Sequence, residues 1–423
     1  MTPAELAAIR QVDSLCDELV GFTQALVRVP SVNPPGDRYA ECADLIATQL
    51  RKFGYTVEHF APTNQPDRVN VVGTLGQGRT VLHFNGHYDV VPAENGWTVD
   101  PFSAILRDGR IYGRGTCDQK AGISASLFAV EAIRRAGIPL DATIEQSATP
   151  DEESGGFAGV AHLCDVGRLS SSRQRYVVIT EPLDPERVCI GHRGVYWFEL
   201  TTLGRVGHGS MPALAVNAAE QMAHLIELID RELRPRLRQR VSSAPVEPPP
   251  ARQPSINLNS VHAGQPPGIL QTPAVPDRCT AVFDRRFIHE ESFASVRAEI
   301  TELLDRAGVA YELRDLMRVD PLLGSADSTL ARATAGAIRD VLQVEPSFIA
   351  SPGTYDQKHV VRRAGIQECI AYGPGRLVLA HQPDEYVAVD DLVAATRVLA
   401  VLTLRLAGSP SGDPVREPRH TLV

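Results

Sequence analysis

VYWFELTTL, residues 195–203, alternates as a β-strand does, and the pattern of the chain changes at its start. Downstream, LAVNAAEQMAHLIELIDREL (214–233) reads as a helix. SINLNSVHAG (255–264) and RCTAVFDRRF (278–287) read as strands. SFASVRAEITELLDRAG (292–308) is a helix closed by Gly308, and VAYELRDL (309–316) is a last strand. The order β-α-β-β-α-β is that of a ferredoxin-like unit. The Pro-rich stretch APVEPPPARQP (244–254) is a loop within it.

On either side of this unit the chain has a different rhythm. Residues 4–28 and 37–53 carry apolar side chains three and four apart, which predicts helices, with the Pro/Gly loop VPSVNPPGD between them. Short β-rich runs follow: VNVVGTL (69–75), TVLHFNG (80–86), ATIEQSA (142–148) and YVVIT (176–180). A helix over roughly 120–136 stops at Gly137 and Pro139. After 320 the alternation resumes with ADSTLARATAGAIRDVL, CIAYGPG and VDDLVAATRVLAVLTLRL. The expected architecture is a discontinuous, mixed-sheet α/β domain of residues 1–192 and 320–407, interrupted by an α+β domain of residues 193–319. The polar, Pro-rich end, 408–423, reads as a disordered tail.

A chain of 423 residues is too long for one ordinary core, in keeping with two domains. The net charge of −9 argues against nucleic acid as a partner. No apolar run reaches the length of a membrane span. The N-terminus is amphipathic and acidic, without the basic and apolar regions of a signal peptide. Seven scattered cysteines with no CxxC pair argue against a disulfide framework, so a cytoplasmic location is expected. Cys117 reads as a small filler in a tight turn rather than a nucleophile. GRGTCD (113–118) departs from a dinucleotide fingerprint at Asp118, and GHGSMP (207–212) lacks the serine-hydrolase elbow.

In open α/β sheets, ligands sit beyond the carboxyl ends of the strands. The polar residues sort accordingly. His87 and Asp89 follow TVLHFNG, the acidic triplet Asp151, Glu152 and Glu153 follows ATIEQSA, and Glu181 follows YVVIT. His381 comes shortly after CIAYGPG, and Asp118 opens a helix. Two imidazoles and several carboxylates suit divalent zinc, manganese or cobalt. Asp89, two residues from His87, is placed to accept its second ring N–H.

Together these segments resemble the M20 metallopeptidase family, which includes acetylornithine deacetylase, succinyl-diaminopimelate desuccinylase, aminoacylase and carboxypeptidase G2. The matching stretches are GHYDVVP (86–92), GRGTCDQKAG (113–122), TPDEESGG (149–156), ITEP (179–182), GHGSMP (207–212), GTYD (353–356), YGPG (372–375) and AHQPDEYV (380–387). The resemblance implies a di-zinc exopeptidase-like catalytic domain whose insertion is a lid and dimerisation domain. It implies one or two divalent ions per subunit. Asp118 would bridge both, with His87 and Glu181 on one and Glu153 and His381 on the other. Glu152 would be the general base, and Asp89 would orient His87. His208 would stabilise the developing oxyanion in the partner subunit's site, and Arg286 would bind the substrate carboxylate. A cis peptide is implied at Asp118–Gln119. Two departures bear on the lid: Gly207 precedes His208, and Ile288 stands where the family has proline after the DxR motif.

The function this implies is cleavage of an amide C–N bond in a small carboxylate-bearing substrate, such as an N-acyl amino acid or dipeptide, by metal-activated water. Two alternatives stand beside it: an aminohydrolase on the same metal site, and a non-catalytic binding protein on the same fold. Retention of Glu152 and of the five ligands speaks against the last. Asn257 and Asn259 lie on a lid strand, where contact with substrate competes with ordinary strand hydrogen bonding. Asp356 lies in a Gly-rich loop, where substrate contact competes with turn stabilisation. His192 and Arg193 fall at the domain junction, and His83 and His162 read as packing or capping residues.

Overall fold

The computed structural model describes residues 1–266, 268–269 and 272–407, so the tail 408–423 lies outside the described residues. The chain forms two compact units. One comprises Met1–Arg187, Asp327–Pro346 and the segment from His359 onward; the other comprises Val188–Ala326 and Ser347–Lys358.

The first unit is built on a mixed sheet. Its strands run in the order Thr56–Phe60, Asn70–Leu75, Ala142–Thr149, Thr80–His87, Tyr176–Ile179 and Cys369–Ala371. The first two junctions are antiparallel and the other three parallel. Parallel strands must be covered on both faces and therefore read as unbroken apolar runs. Thr80–His87 shows this, being buried without interruption from Leu82 to His87. The expected strand positions hold to within a residue or two. Thr56–Phe60 escapes the sequence pattern because it buries little and so carries no strong alternation. The segment 4–28 is two helices, Pro3–Ser14 and Cys16–Val27, broken at Leu15, whose φ of −95° and ψ of 2° are not helical.

Helix Ala121–Arg135 is buried along its whole length from Ala121 to Ile133. Its small residues allow that. A Cβ on Gly122 would stand 2.1 Å from the Thr180 carbonyl oxygen, so only glycine lets this helix start against the end of strand Tyr176–Ile179. The close approach brings the residues just before the helix, Asp118 among them, to the carboxyl ends of the parallel strands.

In the second unit the strands Ser255–Ala263, Arg278–Phe287, Gly194–Leu203 and Tyr311–Val319 form an antiparallel sheet in that order. In chain order this is 2-3-1-4, the ferredoxin-like arrangement expected from the sequence. Phe198 and Phe283 stack at 5.1 Å between ring centroids in a core shared with Met222, Leu225, Ile300 and Leu304. The first helix begins at Ala218 rather than 214. The Asn217 side chain accepts the N–H groups of Ala219 and Glu220, a capping arrangement, while Pro212–Leu214 forms a separate turn. Residues 188–192, 320–326 and 347–358 group with this unit, beyond the expected 193–319. Backbone bonds explain it: Leu322 pairs with His192, Arg193 N–H donates to Ser351 O at 3.1 Å, and Ala350 N–H donates to Pro245 O at 2.9 Å. Among the described residues no helix is long and apolar enough to cross a membrane.

The two glycine environments give opposite expectations. Gly122→Ala forces backbone and helix apart and should destabilise by about 1–3 kcal/mol. Gly21, inside helix Cys16–Val27 with nothing within 4 Å of an added Cβ, should gain about 0.5–1 kcal/mol as alanine. Urea midpoints of the two variants measure both signs.

Candidate metal centre

His87 is the last residue of the central strand Thr80–His87 and is buried. Its Nδ1 lies 3.0 Å from the Asp89 backbone carbonyl and 3.5 Å from the Asp89 carboxylate. A carbonyl can only accept, so Nδ1 carries the proton and Nε2 is left to bind. Asp89 thus meets the His87 ring through its backbone carbonyl, with its carboxylate close beside it. The carboxylate has other work. It accepts from Asn33 Nδ2 at 2.8 Å and from the backbone N–H groups of Glu152 and Glu153, both at 3.2 Å. One residue thus ties the His87 loop to the turn bearing both glutamates.

That turn is Glu152–Ser154, entered through Asp151 at a left-handed φ of 73°. The Asp151 carbonyl accepts the Ser154 and Gly156 N–H groups, closing the turn. His359 Nε2, 2.8 Å from the Gly155 carbonyl, holds its far end. The Asp151 carboxylate accepts from Ala158 N–H at 3.4 Å, across the turn.

Asp118 stands between two imidazoles. Its Oδ1 is 3.0 Å from His87 Nε2 and its Oδ2 is 3.5 Å from His381 Nε2. His381 Nε2 is also 3.2 Å from Glu153 Oε1. The peptide bond Asp118–Gln119 is cis, as the resemblance implies. Glu181 is buried and accepts from Gln119 Nε2 at 2.5 Å, while Gln119 Oε1 accepts from the Thr180 hydroxyl at 2.9 Å. Gln119 thus fixes the position of Glu181 relative to the chain that carries Asp118.

The donor set fits a divalent ion. Ligand atoms of His87, Asp118 and Glu153 all lie within 4.8 Å of one another. Two ligands bound at about 2.0–2.1 Å to one tetrahedral zinc stand about 3.3–3.4 Å apart. The three imidazole–carboxylate separations, from 3.0 to 3.5 Å, bracket that distance. Charge tells the same story. Burial penalises the charged His87 and His381, but neighbouring carboxylates overcome it and raise both, His381 to about 11. Burial, with the Asp118 charge, raises Glu153 to about 7, and contact with His381 only partly offsets this. Burial alone would raise Asp118, yet its bonds to His381 and His87 hold it below the usual carboxylate range. The cluster is a set of carboxylates that demand positive charge, which protons on imidazole supply in the absence of metal.

The remaining candidates lie on the second unit. His208 is exposed, with Nδ1 accepting the Ser210 N–H at 3.2 Å and lying 2.7 Å from the Ser210 hydroxyl, so its neutral form carries the proton on Nε2. Arg286 is held by Asp284, with Nε 2.8 Å from Oδ1 and Nη2 2.8 Å from Oδ2. Asn257 donates to Asn259 at 2.7 Å. Asp356 is buried, with Lys358 Nζ 4.0 Å from its carboxylate. Arg193 donates to the carbonyls of Pro352 and Gln253. His83 is buried between Glu145 and Ser147, a packing role, and Cys117 is a buried filler bonded to the Arg376 carbonyl. Residues that hold the centre, among them Asn33, Gln119 and Glu385, do not stand out in the sequence. Glu385 lies within AHQPDEYV, four residues after His381, and proximity to a ligand is the one signal that pointed to it.

A mixed-sheet α/β fold with imidazoles and carboxylates gathered at its strand ends is that of a metal-dependent hydrolase. The model of peptidase family M20/M25/M40 matches residues 83–405, and the chain belongs to this family. It is a hydrolase acting on carbon–nitrogen bonds. Succinyl-diaminopimelate desuccinylase from Methylobacterium radiotolerans is 31% identical over 395 residues, covering 90% of this chain and 95% of the relative. The di-peptidase Dug1p from Saccharomyces cerevisiae superimposes with a TM-score of 0.80 at 16% identity, over 97% of this chain and 100% of that one. A dinuclear metal binding peptidase of the M20 family from Bacillus subtilis superimposes with a TM-score of 0.63 at 13% identity, over 93% and 99% of the two chains.

Because neighbouring carboxylates favour a proton on both imidazoles, which must be neutral to bind, metal uptake should expel protons. Calorimetric titration of stripped protein with zinc at pH 7, in buffers of different ionisation enthalpy, should show net proton release, and affinity should rise with pH. Uptake without proton release would contradict the raised values.

Proposed function

We propose that this protein cleaves the amide bond of a small, carboxylate-bearing substrate, an N-acyl amino acid or dipeptide, at a centre of two divalent ions. The observation that carries the two-ion reading is the orientation of Asp118, which turns one oxygen to His87 and the other to His381. His87, Asp118 and Glu181 would hold one ion, and Asp118, Glu153 and His381 the other. The kinship with a desuccinylase over most of both chains supports an N-acyl amino acid substrate. Zinc, manganese and cobalt all suit the donor set.

Bound there, divalent ions supply a lowered pKa for water and polarisation of the scissile carbonyl. The protein's residues do the rest. Glu152 takes the proton from the attacking water and passes it to the leaving amine. Its backbone N–H, like that of Glu153, is pinned by the Asp89 carboxylate. His208, with its proton on Nε2, donates to the developing oxyanion in the partner subunit's site. Arg286, pre-oriented by Asp284, offers its remaining N–H groups to the substrate carboxylate, and Asn257 and Asp356 serve as further substrate contacts. The second unit acts as lid and dimerisation domain. Net charge of −9 and cysteines that form no disulfide support a cytoplasmic enzyme without nucleic-acid partners.

Chelator-stripped protein should lose amidase activity on N-succinyl and N-acetyl amino acids and recover it with zinc, manganese or cobalt. Glu152→Gln should keep its metal content while kcat falls about 10²–10⁴-fold. A variant at full rate would remove Glu152 from the mechanism. Sedimentation velocity at micromolar concentration should show a dimer, and monomer alone would exclude the role of His208.

A further inference from the structure

Asp118 and His381, both on the proposed second ion, come from loops far apart in sequence. One buried ion pair joins those loops. Glu385 is 1% exposed and Arg114 2%. Glu385 Oε1 accepts three backbone N–H groups along the first loop: Gly115 at 3.0 Å, Cys117 at 2.8 Å and Asp118 at 3.2 Å. Its Oε2 accepts from Arg114 Nη1 at 2.5 Å. Arg114 in turn reaches the second loop, with Nη2 3.3 Å from the His381 carbonyl and Nη1 3.4 Å from that of Gln382. A backbone bond, Gly113 N–H to Glu385 O at 2.8 Å, runs beside them. The Arg114 guanidinium is stacked over Trp97, 5.1 Å from its ring.

The arrangement is more specific than loop packing requires. The carboxylate bonds the N–H of Asp118 itself, and the guanidinium bonds the carbonyl of His381 itself. His381 has a left-handed φ of 63°, so its backbone needs such support to present the ring where it does. The pair carries no net charge. Its effect on the centre is therefore geometric: it sets how far Asp118 Oδ2 stands from His381 Nε2.

We propose that Arg114 and Glu385 are positioning residues that fix the spacing of Asp118 and His381 and thereby set the affinity of the second ion. This rests on the two-ion reading above. Asp118 also serves the first ion, but His87 of that ion is held by Asp89 on its own loop and Glu181 is tied to the Asp118 loop through Gln119, whereas the pair's second anchor, the His381 carbonyl, belongs to the second ion alone. Disturbing the pair should weaken the second ion selectively.

The test is titration of metal-stripped protein with cobalt(II), followed by its visible absorption and by calorimetry. The unaltered protein should bind two ions. Glu385→Gln, which loses the charge that gathers the three N–H groups, should weaken the second ion about 10–100-fold and the first much less. Arg114→Lys keeps the charge but loses the planar fork to the His381 and Gln382 carbonyls, and should show the same selective loss. Circular dichroism and the thermal midpoint of metal-free protein establish that each variant is folded; should Glu385→Gln not fold, Arg114→Lys carries the test. Equal weakening of both ions, or of neither, in folded variants overturns the proposal. An unaltered protein that takes up one ion or none overturns the two-ion reading instead.

Discussion

A carboxylate that is 12% exposed, with an imidazole on each oxygen, can be sustained only by positive charge close at hand. Asp118 imposes that condition on the rest of the first unit. The parallel strand order brings the chain ends at His87 and Glu181 to one edge. The glycine at 122 lets the following helix begin against Thr180, so that Asp118 reaches the same edge. The long return of the chain brings His381 to its other oxygen. A single position thus links sheet topology, helix packing and metal chemistry.

The neighbours of Asp118 show how such a cluster tolerates two states. The carboxylates around Asp118 favour protons on His87 and His381. A divalent ion held there would supply that positive charge in their place. The scaffold around the ligands is held by bonds that do not change with that exchange: the Asp89 carbonyl on His87, the Asp89 carboxylate on two backbone N–H groups, and Gln119 on Glu181.

Much of this is legible in the sequence because it rests on local signals. Apolar runs such as TVLHFNG mark buried parallel strands, and ligands follow their ends because open α/β sheets place sites there. The β-α-β-β-α-β order of the second unit is equally visible. What stays hidden depends on distant partners. Glu385 acts on backbone N–H groups some 270 residues away, and backbone groups leave no trace in residue identity. Asn33 reaches Asp89 from a loop that reads only as Pro-rich. The weakly buried strand Thr56–Phe60 lacks alternation, and 347–358 joins the second unit through main-chain pairing that no side-chain pattern encodes. Asn217 is the exception: an Asn with Glu three residues on is a readable helix start, and it corrects the helix boundary.

The most direct measurement is an anomalous difference map at the zinc edge from crystals grown with zinc. It should show two peaks flanking Asp118, one shared with His87 and Glu181 and one with Glu153 and His381. A single peak that leaves either Asp118 oxygen without an ion, or none at Asp118, would contradict the account.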